Sequence, residues 1–577
     1  MVPDQNTLED RIIVNEKKIT AWSLIRPFWV SEQRWSARGL LALVIALNMA
    51  VVYINVRLNL WNVGFLDSLQ RRDAVTFRHA LVEFTVIAFS YVAIAIYRIY
   101  FRQMLEFRWR QWLTNDYAHR WLKDHAFYRI ERDHLADNPD QRISDDLQGL
   151  ASTTLALSLD LLSTLVTLFS FVTILWTVGG ALAMTVFHTP IHIPGYMVWV
   201  ALVYAIVGSA IMFKVGRPLV TINYQQQRVE ADFRFMLIRL RESAEPIALY
   251  NGAATETERV GGAFELIRSN WRMVMKLTKR LTLVNAVYGQ IANIFPLVAA
   301  SPRYFAGAYS IGVLMQISSA FGQVSDCLSW FVNSFSTLAN WRATVNRLRE
   351  FRRVIDQQHF AETESPATLG GGINLHRTDS RTVETHGLVL DRPNGEALST
   401  ITDIAAGPGS RWLVRGPSGS GKSTLLRALA GLWAFGRGTI DIPVGARLLF
   451  VPQQSYMPID TLKANLCYPS DAAAFSDAQC EEILAACHLS EYRERLLEST
   501  HWARRMSPGE QQRVAFARVL LQKPDIVFLD EATSALDTPT EAVLYKLLIE
   551  RLPETTIISV GHRDTLDAFH SEHLDLA

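Results

Sequence analysis

The sequence predicts a multi-domain chain: an all-α transmembrane domain of six helices, followed by an α/β nucleotide-binding domain of the P-loop kind. Three observations carry this. Long uncharged apolar runs crowd the first 340 of the 577 residues. Residues 416–423 read Gly-Pro-Ser-Gly-Ser-Gly-Lys-Ser, a complete phosphate-binding loop after a short strand at 412–415. Residues 525–530, Asp-Ile-Val-Phe-Leu-Asp, form an apolar run ending in an acid, the pattern of a buried parallel strand.

The membrane half comes first. Segments 39–56, 161–178, 197–213 and 281–302 hold no charged residue and approach the roughly 20 residues that cross a bilayer. Segment 80–97 carries only Glu83 and segment 314–340 only Asp326, which brings the count to six spans, near 39–57, 80–100, 157–178, 196–214, 281–301 and 314–340 of a domain at 39–345. Before it, residues 1–38 lack a signal-peptide pattern, and a Trp/Phe-rich stretch at 21–30 suits a helix lying on the membrane surface. Connections 179–196 and 300–310 hold between them only Arg303, whereas 98–152 and 214–280 are rich in Lys and Arg. The positive-inside rule makes the basic segments and both termini cytoplasmic, in a bacterial inner membrane protein; Arg71, Arg72 and Arg78 in the first connection dissent. Both basic segments read as amphipathic helices prolonging the spans.

Several classes are excluded or demoted. A net charge of +1 gives no sign of a nucleic-acid binder. Cys327, Cys467, Cys480 and Cys487 lack metal-ligand spacing and read as buried thiols. His188 and His192 flank Pro190, which favours a solvated loop over a metal site. Two polar stripes interrupt the apolar spans: Asn48, Asn55, Asn59 and Asn62 on the first, and Gln316, Gln323, Asp326, Trp330 and Asn333 on the last. They imply helix faces turned to a wet cavity, since Asp326 facing lipid would cost about 2.5–3.5 kcal/mol. For any one Asn, amide pairing between helices weighs equally.

A polar linker at 346–378, containing Gly370, Gly371 and Gly372, leads to the nucleotide domain at 379–577. There the backbone N–H groups of Gly416, Pro417, Ser418, Gly419, Ser420, Gly421 and Thr424, as far as each has one, surround the phosphates of ATP. Lys422 reaches the β/γ-phosphates and Ser423 holds Mg²⁺, at the amino end of a helix over 425–433. Asp530, at a strand's carboxyl end, would hold Mg²⁺ and Glu531 would polarise the attacking water. Ser507-Pro-Gly-Glu510 is a capping box, with Gly509 leaving the first N–H groups uncovered; alone, such a box is a structural feature.

The ordered set of residues 416–423, Gln453, Ser507 to Gln511, Asp530-Glu531, Ser534 to Asp537 and His562 resembles the motifs of an ABC ATPase over 379–577. The resemblance implies two nucleotide domains sandwiching two ATPs, so that Ser507, Gly509 and Glu510 of one copy meet the γ-phosphate held by a second copy of the chain. It implies further that Gln453 senses Mg²⁺ and couples to the membrane domain, that Asp537 lines the interface, and that His562, after the strand at 556–560, touches the γ-phosphate. Pro508 and Glu510 depart from the family's glycine and glutamine. No clear adenine-stacking aromatic precedes Gly416; Tyr468 is a substitute, though the reading as an ordinary core or surface Tyr outweighs it.

In the membrane half, residues 109–114, 138–143 and 242–250 resemble SbmA/BacA-related transporters that carry their own ATPase; the last two also resemble subfamily D acyl-CoA half-transporters. This implies that 138–146 and 244–252 are the two short helices that couple to the nucleotide domains. The expectation is an ABC exporter-type half-transporter, an ATP hydrolase working as a homodimer in the lipid bilayer on a hydrophilic or amphipathic cargo such as a peptide or a cobalamin-like molecule. An acyl-CoA or lipid exporter, and an ATP-gated pore or sensor, are the alternatives.

Overall fold

The computed structural model describes residues 19–186, 189–363 and 372–576. The chain divides into two compact units, Met1–Trp121 with His134–Val354, and Leu122–Asp133 with Ile355–Ala577.

The first unit is helical. A capping box at Thr20 starts the helix Ala21–Val30. Its buried Phe28 stacks on Trp109 with ring centres 5.8 Å apart, so the stretch expected to lie along the membrane surface packs one face on protein. Among the described residues five helical stretches are long and apolar enough to cross a membrane. Their cores are Arg34–Arg71, Ala74–Leu122, Leu147–Gly179, Tyr196–Glu242 and Ala253–Phe305. The last has 53 residues, or about 80 Å at 1.5 Å per residue, well beyond a hydrocarbon core of roughly 30 Å. Segment 314–340 straddles two helices, Ile311–Leu328 and Trp330–Thr363. They meet at Ser329, whose hydroxyl donates to the Ser325 carbonyl at 2.9 Å, a back-bond that bends helices.

Small residues bring these helices close. Ala201, Ala300 and Ala320 share a buried cluster with Phe171, Leu175, Ile317 and Phe321. The connection read as a solvated loop is instead an antiparallel hairpin, Ala181–Val186 with Thr189–Pro194. Gly180 and Gly195, both at positive φ, close its base through a 3.1 Å backbone bond. The β-branched and apolar residues that flank Pro190 in the sequence favour strand over loop; His188 lies outside the described residues. Arg303 donates to the Gly179 and Ala181 carbonyls at 2.9 and 3.2 Å, capping the negative end of Leu147–Gly179.

Residues 346–363, expected in a linker, continue the helix Trp330–Thr363. Val345, Leu348, Phe351 and Ile355, spaced three and four apart, are buried along one face, while Arg347 and Arg352 between them pair with Asp146 and Asp116. Gly370 and Gly371 lie outside the described residues.

The second unit is α/β. Its parallel sheet runs in the order Glu572–Asp575, Arg411–Arg415, Thr556–Val560, Ile526–Asp530, Leu448–Val451. The middle strands are buried on both faces, as continuous apolar runs require. A second, mainly antiparallel sheet joins Ile373–Thr378, Gly436–Pro443, Val383–Asp391 and Ala397–Thr400. The helix after the loop spans Lys422–Leu429 rather than 425–433: Gly421 at φ +94° caps its start, and Gly431 at φ +72° follows its end. Cys467 and Cys480 are buried with sulfurs 3.8 Å apart; burial pushes the thiols of Cys467 and Cys487 up to about 12.

Candidate functional site: a nucleotide cavity

The strand Arg411–Arg415 delivers the chain into the loop, where Gly416, Gly419 and Gly421 all take positive φ. A Cβ on Gly416 would come 2.5 Å from the Leu576 carbonyl, so only glycine lets the backbone turn there. Lys422 donates to the carbonyls of Gly416 and Pro417 at 2.9 and 2.8 Å, which parks its ammonium at the loop. Among the described residues the buried Ser420 hydroxyl has no partner, which makes it a donor suited to a phosphate oxygen. A cavity of about 380 Å³ opens here, lined by Ser418, Gly419, Gly421, Lys422, Ser423 and Thr424, with Glu531 and His562 beside them.

The Ser423 hydroxyl donates to Asp530 Oδ1 at 3.0 Å. Burial raises the Asp530 carboxyl above its ordinary range, with the Glu531 charge adding to it and the Ser423 bond opposing. Ser423, Asp530 and the nearby Gln453 offer oxygen donors of the kind Mg²⁺ takes, and a dication beside Asp530 would favour its charged form. Glu531, at φ +47°, donates its backbone N–H to Val560 and turns its carboxylate between two partners. Gln453 Nε2 donates to Oε2 at 3.0 Å, and His562 Nε2 lies 3.3 Å from Oε1.

Ser507 caps the helix Pro508–Gln522: its hydroxyl accepts from the Glu510 N–H at 3.3 Å, and Glu510 Oε2 accepts from the Ser507 N–H at 2.7 Å. Burial opposes ionisation of Glu510, but bonds from the Ser507 hydroxyl and backbone and from Tyr492, with Arg513 nearby, outweigh it and hold the carboxyl low. A Cβ on Gly509 would lie 3.2 Å from the Ala535 carbonyl, a second reason for glycine. Asp537 sits at the N-cap of Thr538–Arg551, its carboxyl lowered mainly by a bond from Thr540.

Two residues missed in the sequence fasten these parts. Gln512 accepts from the Ala535 N–H at 2.9 Å and donates to Ser534, tying the capped helix to the loop after Glu531. Arg563 donates to the Leu536 and Ser534 carbonyls, beside His562. Their only signals were adjacency to Gln511 and to His562.

Tyr468 does not line the cavity; it packs against Tyr456 and under the Arg518 guanidinium, 5.5 Å from its ring centre. Trp433, downstream of the loop, does line it, with Arg392 and Leu398. Residues 138–146, expected to dock on the nucleotide domain, stay in the first unit: Asp146, buried, accepts from Arg142 at 3.0 Å and Arg347 at 2.9 Å. The segment Leu122–Asp133, which includes the helix Ala126–Arg132, belongs to the second unit instead.

The polar stripes divide. Asn48, Asn59 and Gln316 are buried within the helical unit, which gives them a packing role rather than a cavity one. Asn48 donates to the Val44 carbonyl at 2.9 Å and Asn59 to that of Gln316 at 3.5 Å. Asn55 and Gln323 are half-buried; Asp326 and Asn333 are exposed.

The family ABC transporter transmembrane region 2 matches residues 24–305, and the ABC transporter family matches residues 402–534. The chain is 37% identical over 94% of its length to an ABC transporter ATP-binding protein of Synechocystis, covering 81% of it. It is 31% identical to the Escherichia coli inner membrane ABC transporter ATP-binding protein YddA, over 94% of each chain. It is 28% identical to the mouse lysosomal cobalamin transporter ABCD4, over 81% of this chain and 80% of that one. The fold is that of a bacterial Atm1-family ABC exporter solved with ATP bound, at a TM-score of 0.70 over 95% and 94% of the two chains, with 20% identity. The chain belongs to the ABC transporters: an integral membrane protein with an exporter-type helical domain fused to an ATP-binding domain that couples ATP hydrolysis to transport.

Proposed function

We propose that this transporter works as a homodimer, moving a hydrophilic or amphipathic molecule across a bacterial inner membrane by alternating access, with both termini cytoplasmic and six spans per copy. The observation that carries repeated turnover is the Glu531 carboxylate held between Gln453 and His562 at the mouth of the phosphate loop. In this reading the loop N–H groups, Ser420 and Lys422 bind the phosphates, and Ser423, Asp530 and Gln453 hold Mg²⁺, which neutralises charge developing on the transferred phosphoryl group. Glu531 orients water, His562 steadies the γ-phosphate, and Ser507, Gly509 and Glu510 complete the partner copy's site, with Asp537 at the interface. An intact set of this kind favours pumping over a gate that only opens and closes.

The cargo reading rests on exposed Asp326 and Asn333, with Asn55 and Gln323 partly exposed, on helices otherwise apolar. The relationship to a cobalamin transporter supports a large polar passenger. A second reading, acyl-CoA or lipid export, is favoured by an apolar groove of about 440 Å³ between Trp199, Val203, Tyr204 and Phe295. The helix Ala126–Arg132, rather than 138–146, is the proposed first coupling helix, with Ala244–Leu249 the second. Vesicles reconstituted with the purified protein, assayed for ATP-dependent movement of peptides, cobalamin and acyl-CoA, test both readings. Movement of acyl-CoA alone would reverse the choice.

A further inference from the structure

We propose that Glu541 is a positioning residue for ATP hydrolysis: its buried carboxylate stitches the loop after Glu531 to the loop after His562 and so holds those two side chains in register at the γ-phosphate. The proposal rests on the roles given above to Glu531 and His562.

The need for such a stitch follows from the sheet. The strands Ile526–Asp530 and Thr556–Val560 pair in parallel, and their register ends with Asp530 opposite Val560. Glu531 and His562 lie just beyond, on loops that the ladder no longer aligns. His562 Nε2 and Glu531 Oε1 nevertheless lie 3.3 Å apart, and both residues line the nucleotide cavity. The backbone bond from the Glu531 N–H to the Val560 carbonyl prolongs the pairing by one step.

Glu541 supplies the longer-range tie. It stands in the first turn of the helix Thr538–Arg551 with 1% of its surface exposed. A carboxylate taken out of water is costly unless its oxygens find donors. Here the donors come from two different loops. The Thr533 hydroxyl, two residues after Glu531, donates to Oε2 at 2.7 Å, and the Thr565 hydroxyl, three residues after His562, donates to Oε1 at 2.7 Å. Arg563, the residue after His562, places Nη1 3.5 Å from Oε2. The same guanidinium carries the tie back across by donating to the Leu536 and Ser534 carbonyls at 2.7 and 3.0 Å. Glu541 is not among the residues lining the cavity, so its influence on the reaction passes through these two loops. A misplacement of about 1 Å in a reacting group can cost on the order of 100-fold in rate. Loosening the stitch should therefore lower turnover while sparing affinity, because the phosphates are held by the separate loop at 416–423.

The test is steady-state ATPase, equilibrium ATP binding and melting temperature, all on one preparation of the full-length protein. Glu541→Gln keeps the shape of the side chain but offers one acceptor oxygen in place of two. It should lower kcat about threefold or more, the scale of one hydrogen bond, with KM and ATP affinity within about twofold of the parent. Thr565→Val, at the exposed end of the stitch, should show the same split with little change in melting temperature, and it serves alone if the buried substitution does not fold. Combined with His562→Ala, Glu541→Gln should add little further loss, because residues that act through one group are not additive. Unchanged kcat, a fall in melting temperature alone, equal losses of kcat and ATP affinity, or full additivity with His562→Ala would each overturn the proposal. Glu531→Gln and His562→Ala variants that kept the parent's ATPase would overturn the roles of those two residues, and the proposal with them.

Discussion

Gln453 donates its side-chain amide to the carboxylate of Glu531 at 3.0 Å, across 78 residues of sequence. Glu531 follows the strand Ile526–Asp530 and Gln453 comes just past its neighbour Leu448–Val451, so the parallel pairing of these strands sets the contact. A metal bound by Gln453 would have to share that amide group's orientation with the carboxylate that activates water. If Gln453 holds Mg²⁺ and Glu531 orients water, as proposed, the two roles would be linked through one side chain.

Glu531→Gln should therefore keep nucleotide affinity while lowering steady-state ATPase by about 10²–10⁴-fold, the usual loss when a general base is removed. The change preserves shape and leaves Lys422 and the glycines intact. Phosphate release and ATP binding measured on one preparation check it. ATPase within a few-fold of the parent would assign the role elsewhere.

The order of motifs made this cluster readable because each motif is local: glycines at positive φ, a lysine after them, an acid closing an apolar strand. The fold class was readable for the same reason. What escaped depended on distant pairing. Trp433 lines the cavity because the chain turns back after Leu429, a proximity that its place downstream of the phosphate loop does not reveal. The periodicity put Asn48 and Asn59 on one face of the first span and Gln316 on a face of the last, yet could not say whether those faces met water or another helix. The polar composition of 346–363 hid a helix whose spacing at Val345, Leu348, Phe351 and Ile355 was present in the sequence all along.

Glu510 makes acid stability a readout of the capping box. Its folded carboxyl titrates below the ordinary value, so its contribution is complete above the unfolded value of about 4.3 and fades as pH falls through the folded one. Glu510→Gln can still accept the Ser507 N–H but does not titrate. Melting temperatures between pH 7 and pH 3 should show the parent losing more stability than the variant below about pH 4.5. Parallel curves would contradict this.

Asp146 should be a stability residue. Buried and gripped by Arg142 and Arg347, it leaves two guanidinium groups without their counter-charge when removed. Because the Arg347 side chain keeps 40% of its surface in solvent, Asp146→Ala should cost on the order of 1–3 kcal/mol, less than a fully buried pair, read as a drop in folded yield and melting temperature. Any molecules that fold should retain the parent's nucleotide affinity.

Asp326 tests the cargo. It is exposed on the helix Ile311–Leu328, whose other side buries Ile317, Phe321 and Val324. If it faces a wet passage, Asp326→Asn, close to isosteric, should leave melting temperature and basal ATPase near the parent's while lowering uptake or cargo-stimulated ATPase several-fold for a polar or cationic passenger. A carboxylate paired inside the helix bundle behaves differently: losing its charge would strand the partner and destabilise the protein. Uptake per folded molecule and melting temperature, taken from the same purified variant, separate the two. A destabilised variant with normal uptake would remove Asp326 from the passage and leave the apolar groove at Tyr204 and Phe295 as the better guide to what is carried.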